Sequence, residues 1–385
     1  MTADLEREAP QLSVGCLTSL AEVEALESEW RATFEAVDDA LPFSSFEWVT
    51  AWWHHLRRET PWLGDRLRVF VVRDAAGEIL AIAPMMRTAV LLFRLPVVRL
   101  LQFIGTDPNL TEVRGMLVRS SDESMAVRAL AAALARRKDH DWILWCGLRK
   151  SGGALDAIRR IWPAASLDKE TPAFILQLPG SWDELRARLP RNIRESLRKC
   201  YNSLARDGHE WKFNVIKSSP ELAPALHKLI EMHGSRASAS GTVQHRNCFD
   251  TDARRSFIHE VVDRFSREAS VCVFQLEIGG EIVATRLGFV SADRLYLYYS
   301  GYEPSWGKYS VMTTVVAEAI KYAIENRFKS VNLSTWPDES KLRWRPEEVR
   351  YLDVVCVRPN SFARARYGLL HTDLRARLKK VLLRD

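Results

Sequence analysis

The chain has 385 residues, 47% of them hydrophobic and 27% charged, which is ordinary for a folded soluble protein with room for two or three domains. Its net charge of +6 comes from 55 basic residues interspersed with 49 acids, so an anionic ligand is allowed while neither DNA nor RNA is marked as a partner. The six cysteines form no Cys-x-x-Cys pair and read as core residues in a reducing compartment. An acid-rich start and the lack of an apolar run long enough to span a bilayer point to a cytoplasmic protein.

After a polar start, residues 12–18 read as a strand and 20–34 as a helix with Leu20, Val23, Leu26, Trp30 and Phe34 on one side. Ser44 and Glu47 form a capping box before an aromatic helix, 46–58, whose Trp48, Trp52, Trp53 and Leu56 face the core. His54 and His55 point to different sides of that helix and cannot share a metal, and no metal is expected elsewhere. A hairpin over 68–85, strands at 97–104 and 116–119, a helix at 123–137 and a buried strand at 142–146 follow. The apolar stretch 89–105 reads as core strand and loop, with peripheral membrane contact as the alternative. Next come a strand at 171–178, a capping box at Ser181 and Glu184, and a basic helix from Arg191 that stops at Gly208. The chain ends in a basic amphipathic helix, 360–383, expected to pack on the body, with acidic lipid as the lesser option.

The pattern repeats at an offset of about 200 residues. Val69-Phe70 leads to Gly77-Glu78-Ile79-Leu80-Ala81, and Val273-Phe274 leads to Gly280-Glu281-Ile282-Val283-Ala284. Each hairpin follows a helix and precedes strands, a second helix and a buried strand. The expected architecture is α/β (α+β), with two tandem domains at 1–165 and 166–358, mixed sheets flanked by helices, and a basic C-terminal helix at 359–385.

The second copy alone has a compact strand–loop–helix–strand run, from Arg294 to Leu333. Leu295 to Ser300 reads as a strand and Gly301 to Tyr309 as a turn. Ser310 is the predicted N-cap of a helix carrying Val311, Val315, Ala319 and Tyr322 on one face. Such a helix start aims N–H groups and a positive dipole end at an anion, most simply a phosphate.

Tyr299-Ser300-Gly301-Tyr302-Glu303-Pro304, then Tyr309-Ser310, then Asp338, Ser340, Lys341, Arg343 and Trp344 resemble the CelD-like branch of the GNAT superfamily of acyl-CoA-dependent N-acyltransferases. The resemblance is strongest over 273–355. It departs from the family where Val311 and Met312 stand in place of small residues and where Trp336 stands in place of glycine. It implies two GNAT-like domains, with acetyl-CoA or another acyl-CoA as co-substrate and an amine acceptor, small or sugar-linked, in polysaccharide biosynthesis. Fem-type transfer from aminoacyl-tRNA is a second reading, and a catalytically inactive scaffold a third.

Acyl transfer to an amine needs a held carbonyl, a base for the amine and stabilisation of the departing thiolate. Tyr298, Tyr299 and Ser300 are the candidate strand edge for the carbonyl. Lys308, Tyr309, Ser310, Val311 and Met312 are candidates for the pyrophosphate. Glu303 and Asp338 are candidate bases, and Tyr302 or Tyr309 the candidate acid. Lys341 and Arg343, read as extended, would face the acceptor, with Trp344 as a flat platform and Arg286 as a further contact.

Overall fold

The computed structural model describes residues 12–93, 95–107, 109–238 and 246–369. The predicted frayed start and most of the predicted C-terminal helix lie outside the described residues. The chain runs β1 (Ser13–Leu17), α1 (Leu20–Glu24), α2 (Glu27–Glu35), α3 (Phe46–Leu56), β2 (Leu63–Arg73), β3 (Ile79–Leu92), β4 (Leu95–Phe103), β5 (Leu117–Val118), α4 (Glu123–Arg136), β6 (Trp142–Arg149) and α5 (Ala154–Ile161). It continues with β7 (Ser166–Gln177), α6 (Trp182–Arg188), α7 (Arg191–Arg206), β8 (Trp211–Ile216), α8 (Ser219–Ser238), α9 (Asp252–Arg267), β9 (Val271–Ile278) and β10 (Glu281–Ser291). The last elements are β11 (Arg294–Tyr302), α10 (Val311–Glu325), β12 (Ser330–Thr335), α11 (Glu339–Leu342), β13 (Glu347–Val357) and α12 (Ser361–Leu369).

Two local readings change. The helix expected over 20–34 is broken into α1 and α2 at Ala25–Leu26. The cap of α3 is Ser45, which accepts from the Trp48 N–H, because Ser44 is taken up in a 3-10 turn. Glu47 is therefore no capping partner. It is buried, and its carboxylate is 2.9 Å from Arg31.

Contacts divide the chain into two units, residues 1–171 with 350–385, and residues 172–349. In the first, the strand order is β1-β2-β3-β4-β6-β13, antiparallel except for β4 and β6, which are parallel. In the second it is β8-β9-β10-β11-β12-β7, again antiparallel except for β11 and β12. The same order with the parallel pair in the same place is what a duplicated domain requires. The boundaries differ from those read in the sequence. Residues 351–357 of β13 pair with β6 in the first unit, while residues 173–177 of β7 pair with β12 in the second. The first unit is thus completed by β13, which the sequence reading placed in the second domain, while β7 pairs in the second as read. Both strands are apolar runs, and burial on a sheet does not record which sheet.

The second unit's core lies between its sheet and α10. Val311, Val315, Ala319 and Ile320 join Phe274, Leu276, Leu295, Leu297 and Val331 in one buried cluster. Tyr322, on the same helix, meets the Phe274 ring edge-on at 5.5 Å. On the other side, α8 crosses β11 at Gly301. A Cβ there would stand 2.5 Å from Met232 Cβ, 2.8 Å from the His233 nitrogen and 3.0 Å from the Leu229 oxygen. Two of these three neighbours are helix backbone and cannot turn aside. Gly301→Ala is therefore expected to destabilise the protein by about 1–3 kcal/mol in urea unfolding; an unchanged midpoint would mean that α8 does not press on β11.

Candidate active site

β11 and β12 pair for only three residues, Arg294–Tyr296 with Ser330–Asn332. Past that point β11 has a ladder partner on its β10 side alone. Both strands slip register at this place, β11 against β10 between Leu297 and Ser300, and β12 against β7 between Asn332 and Thr335. Such bulges bend a strand and re-aim its edge. The cleft so formed opens at the C-terminal ends of two parallel strands, where open α/β sheets hold ligands.

α10 begins beside this cleft. The Thr313 and Thr314 N–H groups donate to the Ser310 carbonyl at 2.8 and 3.2 Å. The N–H groups of Val311 and Met312 have no acceptor within the helix and stand at its positive end. Ser310 is not the side-chain cap that was expected. It lies in the left-handed region at φ +56°, and its hydroxyl caps nothing.

Several residues assigned to ligands by the sequence brace the cleft. Arg286 donates from Nη2 to the Leu297 carbonyl at 3.3 Å, across the β11 bulge, so it supports the strand and is no acceptor contact. Lys341 donates from Nζ to the carbonyls of Thr335 (2.6 Å) and Trp336 (3.0 Å) and lies 3.1 Å from Asp338. These carbonyls belong to a strained turn, with Ser334 at φ +76° and Trp336 at φ +64°. The positive φ accounts for the glycine expected where Trp336 stands. The loop after it is the single-turn helix α11, capped by Asp338 through the Lys341 N–H, so the extended reading of Lys341 and Arg343 fails. Arg343 bonds Thr313 Oγ1 at 2.9 Å and so sits at the first turn of α10. Trp344 is buried, tilted against Trp182 at 6.3 Å, and offers no platform.

The turn before α10 is held from α7. The buried Tyr309 donates its hydroxyl to Asp207 at 3.0 Å and contacts His209 Nε2 at 2.9 Å, so it is not poised as an acid for the leaving thiolate. Asp207 is held down to about 2, first by Arg206 and then by Tyr309. Lys308 is exposed, its ammonium 4.8 Å from the centre of the Tyr309 ring. Tyr298 is buried and Tyr299 half-buried, with ring centres 4.5 Å apart at the bulge. Ser300 offers its carbonyl to His233 Nδ1 at 3.1 Å. Glu303 is half-buried, and its backbone N–H donates to Val283 at 2.9 Å.

At the mouth of the cleft the structure adds a residue that the sequence reading passed over. Arg236, near the end of α8, lies 5.3 Å from the centre of the half-buried Tyr302 ring. Burial pulls its guanidinium below the usual arginine range, against the opposing pull of Tyr302 and Asp338. Arg236, Tyr302 and Asp338 therefore share one electrostatic neighbourhood. Nothing in the sequence marked Arg236 apart from the other arginines of its helices. His233, one turn earlier on α8, was also missed. A carbonyl can only accept, so Nδ1–H donates to Ser300 and Nε2 accepts the Cys248 N–H at 3.4 Å. Among the described residues no group of three or more His, Cys, Asp or Glu is placed to hold a metal ion.

In the first unit a loop packs against the equivalent place and leaves a cavity of about 360 Å³ lined by Val113, Gly115, Glu123, Gly147 and Gly153. Parallel pairing of β4 and β6 ends at Gln102–Leu144. The following loop returns so that Arg114 and Gly115 lie against Cys146 and Gly147 of β6. A Cβ on Gly147 would stand 2.1 Å from the Arg114 carbonyl oxygen. Half-buried Asp107 fixes this loop by accepting from Trp52 Nε1 at 2.7 Å and from the Thr111 N–H at 2.9 Å.

A parallel strand pair that separates at its C-terminal end, with a helix N-terminus beside the opening, offers one free strand edge and one anion-binding end to a ligand. Residues 191–341 match the family described as Acetyltransferase (GNAT) domain, and this segment is a GNAT-type acyltransferase domain. Among solved structures the chain is similar to FemX, with a TM-score of 0.58 at 13% identity over 85% of this chain and 95% of that one. A C-terminal domain described as that of a lysylphosphatidylglycerol synthetase from Agrobacterium fabrum gives a TM-score of 0.52 at 14% identity over 91% and 95%. L-PGS from Bacillus licheniformis gives 0.50 at 10% over 89% and 93%. At these identities the likeness is one of fold. No curated protein sequence matches the chain.

Two outcomes follow from the braces. Lys341→Ala is expected to lower unfolding stability by about 1–3 kcal/mol, because it leaves two carbonyls of a strained turn without their charged donor; turnover lost at full stability would return Lys341 to the acceptor. Burial lowers the His233 pKa below its ordinary 6.5. The folded-state value then lies below the unfolded one, so this contribution is present above about pH 6.5 and fades as pH falls toward the folded value. The stability gap between wild type and His233→Gln should therefore narrow between pH 7.5 and pH 5, and a constant gap would show that the imidazole is not held neutral.

Proposed function

We propose that the second unit transfers an acyl group, acetyl in the simplest case, from an acyl-CoA to an amine on a small or sugar-linked acceptor. The observation that carries this reading is the parting of β11 and β12 beside the unsatisfied N–H groups of α10. Acyl-CoA supplies the activated carbonyl and the thiolate leaving group. The freed edge of β11 past Tyr296 offers backbone donors to a carbonyl that gains negative charge. The N–H groups of Val311 and Met312, with Lys308 and Arg343 close by, suit a pyrophosphate.

On the acceptor side, Glu303 is the preferred base. Asp338 is the weaker candidate. Burial would raise its pKa, but the Ser340 and Lys341 contacts outweigh burial and hold it below the usual carboxylate range. Tyr302 is the preferred acid, since the Tyr309 hydroxyl is bonded to Asp207. Arg236 selects an acceptor that carries a carboxylate or phosphate near its amine. The resemblance to the CelD-like branch supports a cytoplasmic role in polysaccharide biosynthesis, and the loop packed against Gly147 in the first unit supports donor binding in the second.

Calorimetric titration with CoA tests the donor side. Lys308→Ala should weaken binding by about 1.5–3 kcal/mol, tenfold or more. Arg236→Ala should leave CoA affinity unchanged while kcat/KM falls at least about tenfold for anionic amines, about 1.4 kcal/mol. Unaltered CoA affinity in the first variant, or equal losses on neutral and anionic amines in the second, would contradict the assignments.

A further inference from the structure

The end of the β3–β4 hairpin in the first unit has no part in the acyl-transfer reading. Leu92, Phe93 and Leu95 at this tip are 50%, 88% and 69% exposed, and Trp62 is 66% exposed. Trp62 belongs to the same tip, because its carbonyl accepts the Leu91 N–H at 2.8 Å. These four are half of the eight exposed large hydrophobics among the described residues. Phe93 adds a second oddity. It sits at φ +50°, where a turn favours Gly or Asn. A bulky residue that is both strained and solvated gives nothing to the fold, so its apolar surface is explained by something outside the chain.

The charge around the tip says what that is. From Arg87 to Thr106 the chain contains three arginines and no acidic residue. Residues 57–68 and 87–99 together hold seven arginines against Glu59 and Asp65, a surplus of five within a chain whose whole net charge is +6. Four of these arginines are paired, Arg58 with Asp65, Arg66 with Glu59, Arg68 with Asp139 and Arg99 with Asp141. Arg57 remains half exposed, 3.9 Å from the Glu59 it shares with Arg66. A convex turn with four apolar side chains is too small for a stable protein interface, which buries about 1,200 Å² or more. It suits the interfacial layer of a bilayer, where Trp is favoured and cations meet acidic headgroups.

We propose that the β3–β4 tip, with Trp62, is a membrane anchor that inserts Leu92, Phe93 and Leu95 into an anionic lipid surface, with the half-exposed Arg57 and Arg66 of the Trp62 segment meeting its headgroups. The anchoring is peripheral, since no helix among the described residues is long and apolar enough to cross a membrane. It stands independently of the acyltransferase reading.

Flotation of the full chain with phosphatidylcholine vesicles, with and without a quarter phosphatidylglycerol, tests it. Binding is expected only with the anionic lipid, to fall several-fold at high salt, and to fall at least tenfold in the double variant Phe93→Ser, Leu95→Ser at an unchanged melting temperature. Trp62→Ser alone should weaken binding by a smaller factor and guards against a folding defect in the double variant. No binding to either vesicle, or binding that survives in the double variant, overturns the proposal. So does a double variant that turns a dimer into a monomer, which would give the tip to a second copy of the chain.

Discussion

The site in the second unit depends on the early end of one strand pairing. β11 and β12 share three residue pairs and then part. A parallel pair that stayed in register would satisfy every backbone group and leave no donor for a ligand. By parting, the strands expose one edge of β11 and let α10 present its first N–H groups at the opening. Exposing unpaired backbone costs stability, and the surrounding residues limit that cost. Arg286 bonds the Leu297 carbonyl at the bulge, and His233 bonds that of Ser300. Lys341 holds two carbonyls of the turn on the β12 side. Side chains that look like substrate contacts in the sequence thus brace the cleft, and the proposed chemistry rests on fewer residues: Tyr302, Glu303, Asp338 and Arg236.

The duplicated first unit shows the same arrangement with a loop packed against the opening. Its parallel pair β4 and β6 ends in the same position in the strand order, but the loop after β4 folds back onto Cys146 and Gly147. Gly147 is in the left-handed region at φ +65°, and glycine is required there because the Arg114 carbonyl lies where a Cβ would be. Burial raises the pKa of Asp107, and its bonds to Thr111 and Trp52 pull the other way, so the loop is anchored by a polar network inside the unit. The two copies therefore share one topology and differ in the loop that packs against the parted strands of the first.

Much of this was legible in the sequence. The hairpins, α10 and the short buried strands follow from period-2 and period-3.6 patterns, and the order of elements revealed the duplication. The pairing of β13 with the first unit was not legible, since it is an apolar strand and alternation carries no record of a partner. Trp344 was misread because a tryptophan in a polar loop gives the same signal whether it is buried against Trp182 or faces a ligand. Lys341 and Arg343 were misread because their relative direction depends on backbone conformation, and the loop is a helical turn capped by Asp338. Arg236 and His233 carry no local motif. Their importance arises only because α8 crosses β11 at Gly301, a contact made across more than sixty residues of chain.

Hydrogen exchange across the whole chain, with and without saturating CoA, tests the central claim most directly. The account predicts slowed exchange in residues 297–302 and 311–314, at the free edge of β11 and the start of α10, with residues 104–118 of the first unit unchanged. Protection confined to the first unit, or none at either segment while CoA is bound, would contradict it.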